Sequence, residues 1–487
     1  VKRRSFLALT VLSGMSGLVG CGGAGSSEGN AAPLTYTNRL RLPPLLEPEA
    51  DGDGVRRFAL TLQTGMTEFF AGKPAATWGF NGSYLGPTLR ARKGDRVAMK
   101  VTNQLPESTT VHWHGMRLPA VMDGGPHQTI EPKATWTPEW KIEQSATTLW
   151  YHPHPHGATS MHVYRGLAGM FIIDDAEADG LSLPSSYGVD DFPIIVQDKT
   201  IEANGTLSED TRPTFGIMGN HILVNGTYDP FLEVTTSRVR LRILNASNAR
   251  TYHLGFSDGR PFHVIGTDSG MLRKPVQTDR VLLSPAERAD VVVEFATGDE
   301  VVLQSSSGDD DIDEGDFNLL KIRAAGRLKA SPALPGKLTA AAPIAASPGA
   351  RVRRFTLNGH DAVNKREMDM SRIDEVIPAG ALEIWEIENT VYAHNFHIHE
   401  AAFRVLSIDG KAPPAYADGP KDTVYIPPKA TARLAVQFGR HTDPVMPYMF
   451  HCHILRHEDE GMMGQFVVVE PGTEGSVSRT IPTHGHG

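Results

Sequence analysis

A chain of 487 residues is too long for one hydrophobic core, and at about 100–200 residues per domain it divides into two to four, three being the central expectation. With 40% hydrophobic and 21% charged residues, 48 Gly and 34 Pro, it reads as a turn-rich soluble chain, which favours an all-β architecture over a helical one. A net charge of -9 argues against a nucleic-acid partner, which would call for a basic excess.

Residues 1–21 read as an export signal: basic Lys2, Arg3 and Arg4, an apolar small-residue run, then Cys21. Arg3-Arg4 followed by Ser5, Phe6 and Leu7 resembles a twin-arginine signal, and "LVGC" ending at Cys21 resembles a lipobox. The expected location is therefore the periplasm or cell envelope, with a lipid on Cys21 as a membrane tether. No later stretch approaches the ~20 apolar residues of a membrane-spanning helix. With Cys21 lipidated, Cys452 is the one thiol left, and metal ligation would protect it in an oxidising compartment. Residues 22–45 read as an extended segment.

A plan then repeats three times: an Asn-Gly turn, a connection, an alternating strand and a terminal asparagine. The copies run from Asn81-Gly82 to Asn103, from Asn225-Gly226 to Asn245, and from Asn358-Gly359 to Asn389. Period-two alternation in "RVAMKV", "RVRLRIL" and "LEIWEI" puts one face in a core and the other toward solvent. Three β-sandwich domains follow, at 46–175, 185–325 and 351–472, with an Ala/Pro/Gly-rich linker at 326–350 and a flexible tail at 473–487.

Ten of the 20 histidines fall in four clusters, all in the first and third repeats: His112/His114, His152/His154, His394/His397/His399 and His451/His453/His457. The second repeat has a lone His253, read as structural. On a strand, residues i and i+2 share a face with Cα atoms ~6.6 Å apart, a spacing suited to two neighbouring ions. Four His-X-His pairs supply eight imidazoles, enough for a trinuclear cluster between the first and third domains. Cys452 lies between His451 and His453 and so points to the opposite face, toward a different metal. His457, Met462 and the leftover His394 complete two imidazoles, a thiolate and a weak thioether, the ligand set of a blue-copper electron-transfer site. Zinc, with four ligands and no redox chemistry, would leave most of these histidines unexplained.

The motifs "HWHG", "HPHPHG", "HNFHIH" and "HCHILRHEDEGMM" resemble those of the multicopper oxidases, in particular the three-domain bacterial laccase-like group, and the similarity runs through most of the chain. The resemblance implies three consecutive cupredoxin-like Greek-key domains and four copper ions. A type 1 copper would be held by His394, Cys452, His457 and axial Met462, and a type 2 copper by His112 and His397. Two type 3 coppers would take His114, His152, His453 and His154, His399, His451. Asp123 and Glu458 match acidic positions of the family and would relay protons during reduction of dioxygen to water. Met463 reads as packing.

The expected reductant is a phenol or aromatic amine at a shallow site beside His457, taken up by a monomer. Copper tolerance through Cu(I) oxidation is the alternative. The cuprous oxidases carry an Asp and a Met where this chain has Thr390 and Tyr392, and a Met-rich insert, whereas Met368, Met370, Met446 and Met449 here read as packing. Some family members have lost copper and act as scaffolds, but they lose ligands in doing so. The acidic loop Gly308 to Asp316 reads as a solvated turn.

Overall fold

The computed structural model describes residues 29–481 except 51, 53, 346 and 347. The export signal, Cys21 and the tail beyond Ile481 lie outside the described residues. The described residues form six sheets, two facing each other in each of three β-sandwiches, with one apolar core per domain.

Each domain uses the same pairing. The strand that opens it runs parallel to the alternating strand recognised in the repeat: Val55–Phe70 beside Arg96–Asn103, Asp191–Lys199 beside Arg238–Asn245, and Val352–Asn358 beside Leu382–Asn389. Arg96–Asn103 alternates as expected, with Val97, Met99 and Val101 in the core. Arg238–Asn245 does not: both of its faces are buried, and Arg240 and Arg242 point into the protein. They are tolerated there because Arg240 pairs with Asp290, while Arg242 Nε and Nη2 donate to Asp191 at 2.7 and 2.9 Å. The face expected to meet solvent is covered by the first domain, whose Thr148 hydroxyl accepts from Arg242 Nη1.

The terminal asparagines of the three repeats do the same job. The Oδ1 of Asn103, Asn245 and Asn389 accepts the backbone N–H two residues on, at 2.8, 3.0 and 3.2 Å. Each Nδ2 donates to a carbonyl in the following loop and to another on a distant segment: Ile130, Leu283 or Ile426, at 2.8–3.0 Å. The amide thus satisfies buried backbone where the strand turns out of its sheet.

The turn asparagines match in only two of the three domains. Asn81 and Asn225 have positive φ, and each exchanges two hydrogen bonds with one residue of a neighbouring strand, Thr61 and Ile195 respectively. In the third domain that exchange, with Thr356, belongs to Asn364 (φ 53°) rather than to Asn358. The Asn358-Gly359 match is therefore a misalignment: Asn358 is the last residue of its strand, and the structural copy is Asn364-Lys365, with lysine at positive φ where the other copies have glycine.

The segments between domains are packed. Asn38–Arg39 adds a parallel strand to Pro230–Thr236 of the second domain, and Leu40 enters that core. Leu338 of the linker is buried in the same core, and its N–H donates to Arg273 O at 2.9 Å. The segment expected as a flexible tail is bonded as far as Ile481, whose N–H donates to Ser371 O at 2.7 Å while its side chain and that of Val477 cover Ile373 and Val376. The acidic loop is tied down as well: Asp313 faces His253 Nε2 at 2.7 Å, and Asp310 accepts from Tyr425 OH at 2.9 Å.

Replacing Asn103, Asn245 or Asn389 by alanine removes one bond from a backbone N–H and two or three bonds to carbonyls, and each change should destabilise the protein by about 1–3 kcal/mol. Thermal unfolding of the three variants, read against Asn204→Ala in an exposed turn, checks this; melting points equal to the control would remove the shared role.

Candidate metal centre

The four His-X-His pairs meet because strand ladders align them in twos. His112 and His152 form an antiparallel bridge, with N–H to O distances of 2.8 and 3.2 Å. In the third domain His397, on His394–Ile398, lies opposite His451, at the end of Asp443–His451. Across the domain boundary the rings stack, His112 on His399 at 3.9 Å between centroids and His114 on His397 at 3.7 Å. All eight rings are buried.

Their hydrogen bonds sort the two nitrogens of each ring. The outward Nδ1 of His112 donates to Asp123 O (3.0 Å), that of His152 to Pro153 O (2.8 Å), that of His397 to Asp422 O (2.8 Å) and that of His451 to Cys452 O (3.0 Å). Carboxylates hold two more, Asp123 Oδ2 on His399 Nδ1 (2.7 Å) and Asp422 Oδ1 on His114 Nε2 (3.1 Å), and Glu458 Oε1 lies 3.1 Å from His154 Nδ1 without hydrogen-bond geometry. Burial pushes the pKa of His112, His114, His152, His154, His397, His399 and His453 below the ordinary imidazole range, so these rings are neutral and carry one N–H each. Where that N–H points outward, the inward nitrogen bears a lone pair.

The inward nitrogens face one another. His154 Nε2 and His399 Nε2 lie 3.2 and 3.3 Å from His451 Nε2, and His114 Nδ1 and His453 Nε2 each lie 3.4 Å from His152 Nε2. His112 Nε2 and His397 Nε2 have no hydrogen-bond partner. Lone pairs at that separation in a dry cavity repel unless a cation joins them, and the donor set is the one copper favours. Ligand atoms come within 4.8 Å of one another in the sets His114/His152/His453, His154/His399/His451 and His112/His114/His397, the last sharing His114 with the first.

A fourth set, His394, Cys452 and His457, sits on the other side of the Cys452 strand. Its Nδ1 atoms are 3.1 Å apart, and each is 3.5 Å from Cys452 Sγ. Burial pushes the Cys452 thiol up to about 12, so a thiolate there needs an adjacent cation. Burial likewise lowers His394, to about 4, and His457. Helix Leu455–Asp459 carries His457 back toward the cysteine; the chain then returns so that Met462 N–H donates to His457 O and Met462 O accepts from Cys452 N–H. Met462 is fully buried in the same core as Cys452, and Met463 starts the next strand opposite His451.

His457 itself is buried, so a substrate at the shallow site expected beside it does not reach the ring directly. Its Nε2–H donates to Thr214 O, 3.0 Å away, on a second-domain turn closed by paired hydrogen bonds between Arg212 and Gly216. Phe215 on that turn lies 6.0 Å from the His457 ring and 6.3 Å from Tyr392, which is 38% exposed.

Asp123 and Glu458 are both buried against the histidine cluster. Glu458 Oε1 and Oε2 reach His154 Nδ1 and His451 Nδ1 at 3.1 and 3.2 Å. Burial pushes the Asp123 carboxyl up to about 6, against the lowering pull of His112 and His451. Asp422 contacts two ring nitrogens of the cluster and was not singled out from sequence. The need for acceptors behind ligating imidazoles was foreseeable, but nothing in "GPKDTVY" marks which residue supplies one.

Residues 61–178, 190–311 and 341–472 each match the multicopper oxidase family. The chain is 36% identical to multicopper oxidase mco of Staphylococcus aureus over 441 residues, covering 89% of this chain and 93% of that protein. It is equally 36% identical to the cell division protein FtsP of Escherichia coli over 465 residues, 93% of this chain and 97% of the other. Among solved structures, a laccase from Pediococcus acidilactici superposes with a TM-score of 0.84 at 35% identity, over 92% of this chain and 96% of that one. The laccase-like multicopper oxidase CueO of Ochrobactrum sp. gives 0.81 at 38% identity, over 88% and 100%.

Copper added to metal-free protein should raise its melting temperature, because metal at about a thousand times its Kd contributes about 4 kcal/mol per site. Cys452→Ser should abolish blue absorbance while keeping most of that thermal gain. An unchanged melting temperature in the unmodified protein would show that the facing imidazoles hold no metal.

Proposed function

The chain belongs to the multicopper oxidases, a family of oxidoreductases, and from that premise we propose that it oxidises phenols or aromatic amines by single electrons and reduces dioxygen to water. The observation that carries the reading is the set of facing imidazole nitrogens, buried beside a thiol that its own burial holds neutral. We assign His394, Cys452 and His457, with Met462 buried in the same core, as the residues that would hold a type 1 copper, and His112 with His397 as those that would hold a type 2 copper. The sets His114/His152/His453 and His154/His399/His451 are assigned to two type 3 coppers. When bound, copper supplies one-electron cycling and the four-electron reduction of dioxygen.

The chain's own residues supply the rest. Alternation along Phe450 to His453 sends the thiol to one side and both flanking imidazoles to the other, so a short run of covalent bonds joins the two centres. The His451 Nδ1–H bond to Cys452 O adds a second link. Asp123 Oδ2 accepts from His399 Nδ1, while Asp123 Oδ1 and both Glu458 oxygens, which lie 3.1 and 3.2 Å from His154 Nδ1 and His451 Nδ1, have no hydrogen-bond partner, which leaves them able to pass a proton. The burial of all eight rings keeps bulk water from the oxygen-reducing side.

Because Thr214 O caps His457, the reductant delivers its electron across that peptide rather than to the ring edge. The Phe215 and Tyr392 rings beside it, with exposed Val391, form an apolar ledge suited to a planar aromatic donor. The cuprous reading keeps one observation in its favour: His360 Nδ1 and Glu460 Oε2 lie 2.8 Å apart, partly exposed, and the His360 ring is 6.3 Å from that of His457. A scaffold role, which similarity to a cell division protein brings to mind, is disfavoured by the complete ligand set. The proposal includes export as a monomer, tethered where Cys21 is lipidated.

Oxygen uptake by the copper-loaded protein separates the substrates. Turnover of a methoxyphenol without added copper supports the laccase reading, and turnover with chelated Cu(I) alone overturns it. Asp123→Asn and Glu458→Gln should each slow oxygen uptake about 10–100-fold with the blue absorbance intact; loss of colour in either would sink the relay role.

A further inference from the structure

The second domain contributes no histidine to the cluster, yet one of its side chains stands directly behind it. Arg288, the first residue of strand Arg288–Glu294, is fully buried, and all five of its guanidinium N–H groups are used. Nη1 and Nη2 grip Asp422 of the third domain as a fork, at 2.7 Å to Oδ1 and 2.6 Å to Oδ2. The remaining three donate to Thr148 O of the first domain (3.0 Å) and to Ala286 O (3.0 Å) and Asp268 O (2.6 Å) of its own domain. One side chain therefore ties three domains together.

Asp422 passes that constraint to the histidines. Its Oδ1 accepts from His114 Nε2 at 3.1 Å, and its backbone oxygen accepts from His397 Nδ1 at 2.8 Å. These two bonds decide which nitrogen each ring turns inward: Nδ1 for His114, Nε2 for His397. Ser269 and Thr423 hydroxyls fill the remaining carboxylate positions at 3.2 and 3.0 Å. Packing admits no slack: a Cβ built at Gly115, next to His114, would lie 2.6 Å from Asp422 Oδ2 and 2.9 Å from Arg288 Nη2.

A buried ion pair is weak evidence of stabilisation, because apolar replacements of similar volume are often neutral or better. Here the pair is aimed at two ligand rings: His397, assigned above to the type 2 copper, and His114, assigned above to a type 3 copper and also within reach of His112 and His397. We propose that Arg288 is a positioning residue for the trinuclear side, acting through Asp422 on one type 2 and one type 3 ligand, so that these metals are held fully only when the second domain is docked. The inference rests on the copper assignment above.

The test compares copper-loaded wild type, Arg288→Lys and Asp422→Asn for metal content, blue absorbance, the type 2 electron paramagnetic resonance signal and melting of the metal-free forms. Lysine keeps the charge but loses the fork, and asparagine keeps the fork's carbonyl partner but can present a donor to His114. Loss of such a partner weakens metal affinity about 10–100-fold, so copper should fall below four ions per chain in both variants. The type 2 signal should weaken in Arg288→Lys, which frees Asp422 as a whole, while the blue colour stays. Arg242→Lys is the control: Arg242 is equally buried at the same junction but bonds Asp191 and Thr148 and touches no partner of a ligand ring, so its variant should lower stability and keep the type 2 signal. Should Arg288→Lys fail to fold, Asp422→Asn decides alone. Four coppers and an unaltered type 2 signal in the folded variants overturn the proposal; absence of copper from the wild type overturns the function it rests on.

Discussion

Everything at the junction of the first and third domains follows from one constraint: neutral imidazoles have been brought nitrogen to nitrogen where no water can separate them. Between His154 and His451 the two Nε2 atoms are 3.2 Å apart. A proton shared between them would leave a charged ring deep in the protein, and burial lowers the His154 pKa against that outcome. A metal cation resolves the conflict because it accepts from both lone pairs at once. Metal binding there would therefore stabilise the folded junction, because the ligands have no good arrangement without the ion. The outward bonds are as much part of the centre as the rings, since each fixes which nitrogen is left to ligate.

The three domains divide the work unequally. The first and third supply rings from backbone paired within each domain, His112 with His152 and His397 with His451, so each half of the centre is set by its own domain. The second supplies charge and closure. Its strands Arg238–Asn245 and Arg288–Glu294 present buried arginines at the boundary, each neutralised by a carboxylate: Asp290 and Asp191 from the same domain, Asp422 from the third. Cys452 shows a separate economy. A residue just past the end of strand Asp443–His451, set between His451 and His453 of one cluster, lies in the other set with His394 and His457, and the peptide bonds that separate the two sets also connect them.

What was legible from sequence was local. Alternation along a strand is a property of adjacent residues, so the opposite facing of Cys452 and its neighbours and the pairing of His112 with His114 needed no tertiary knowledge. The asparagines ending the three strands were visible as a repeat, although their function, satisfying loop carbonyls, was not. The Asn358-Gly359 match misled because two turns lie six residues apart: the strand ends at Asn358 and turns back to pair with Ala362–Val363, and the asparagine that bonds Thr356 is Asn364 in the next turn. The buried arginines of "RVRLRIL" escaped for another reason: alternation predicts which residues share a face, not whether a neighbouring domain covers it. Asp422, Arg288 and Thr214 act on residues 308, 134 and 243 positions away, and no periodicity reports a contact at that range.

The cap over His457 has a consequence for how a broad range of reductants is served. Direct docking onto a ligand imidazole would demand a pocket shaped to one donor, since recognition and electron transfer would share the same contact. With the Thr214 carbonyl interposed, electron transfer under the proposed function would run through a fixed hydrogen bond of 3.0 Å that is the same whatever sits outside. The donor would then need only to reach the turn and rest on the largely apolar surface of Tyr392 and Val391, where the tyrosine hydroxyl is the one polar side-chain group. Selectivity passes from shape to redox potential and residence time. The turn also shields the Cys452 centre from water and small ligands: Gly216 has positive φ, and a Cβ there would approach Arg456 Cβ to 2.8 Å. Arg456 precedes His457 on the same helix and hydrogen-bonds Arg212 O, so the helix that carries the imidazole also holds its cap in place.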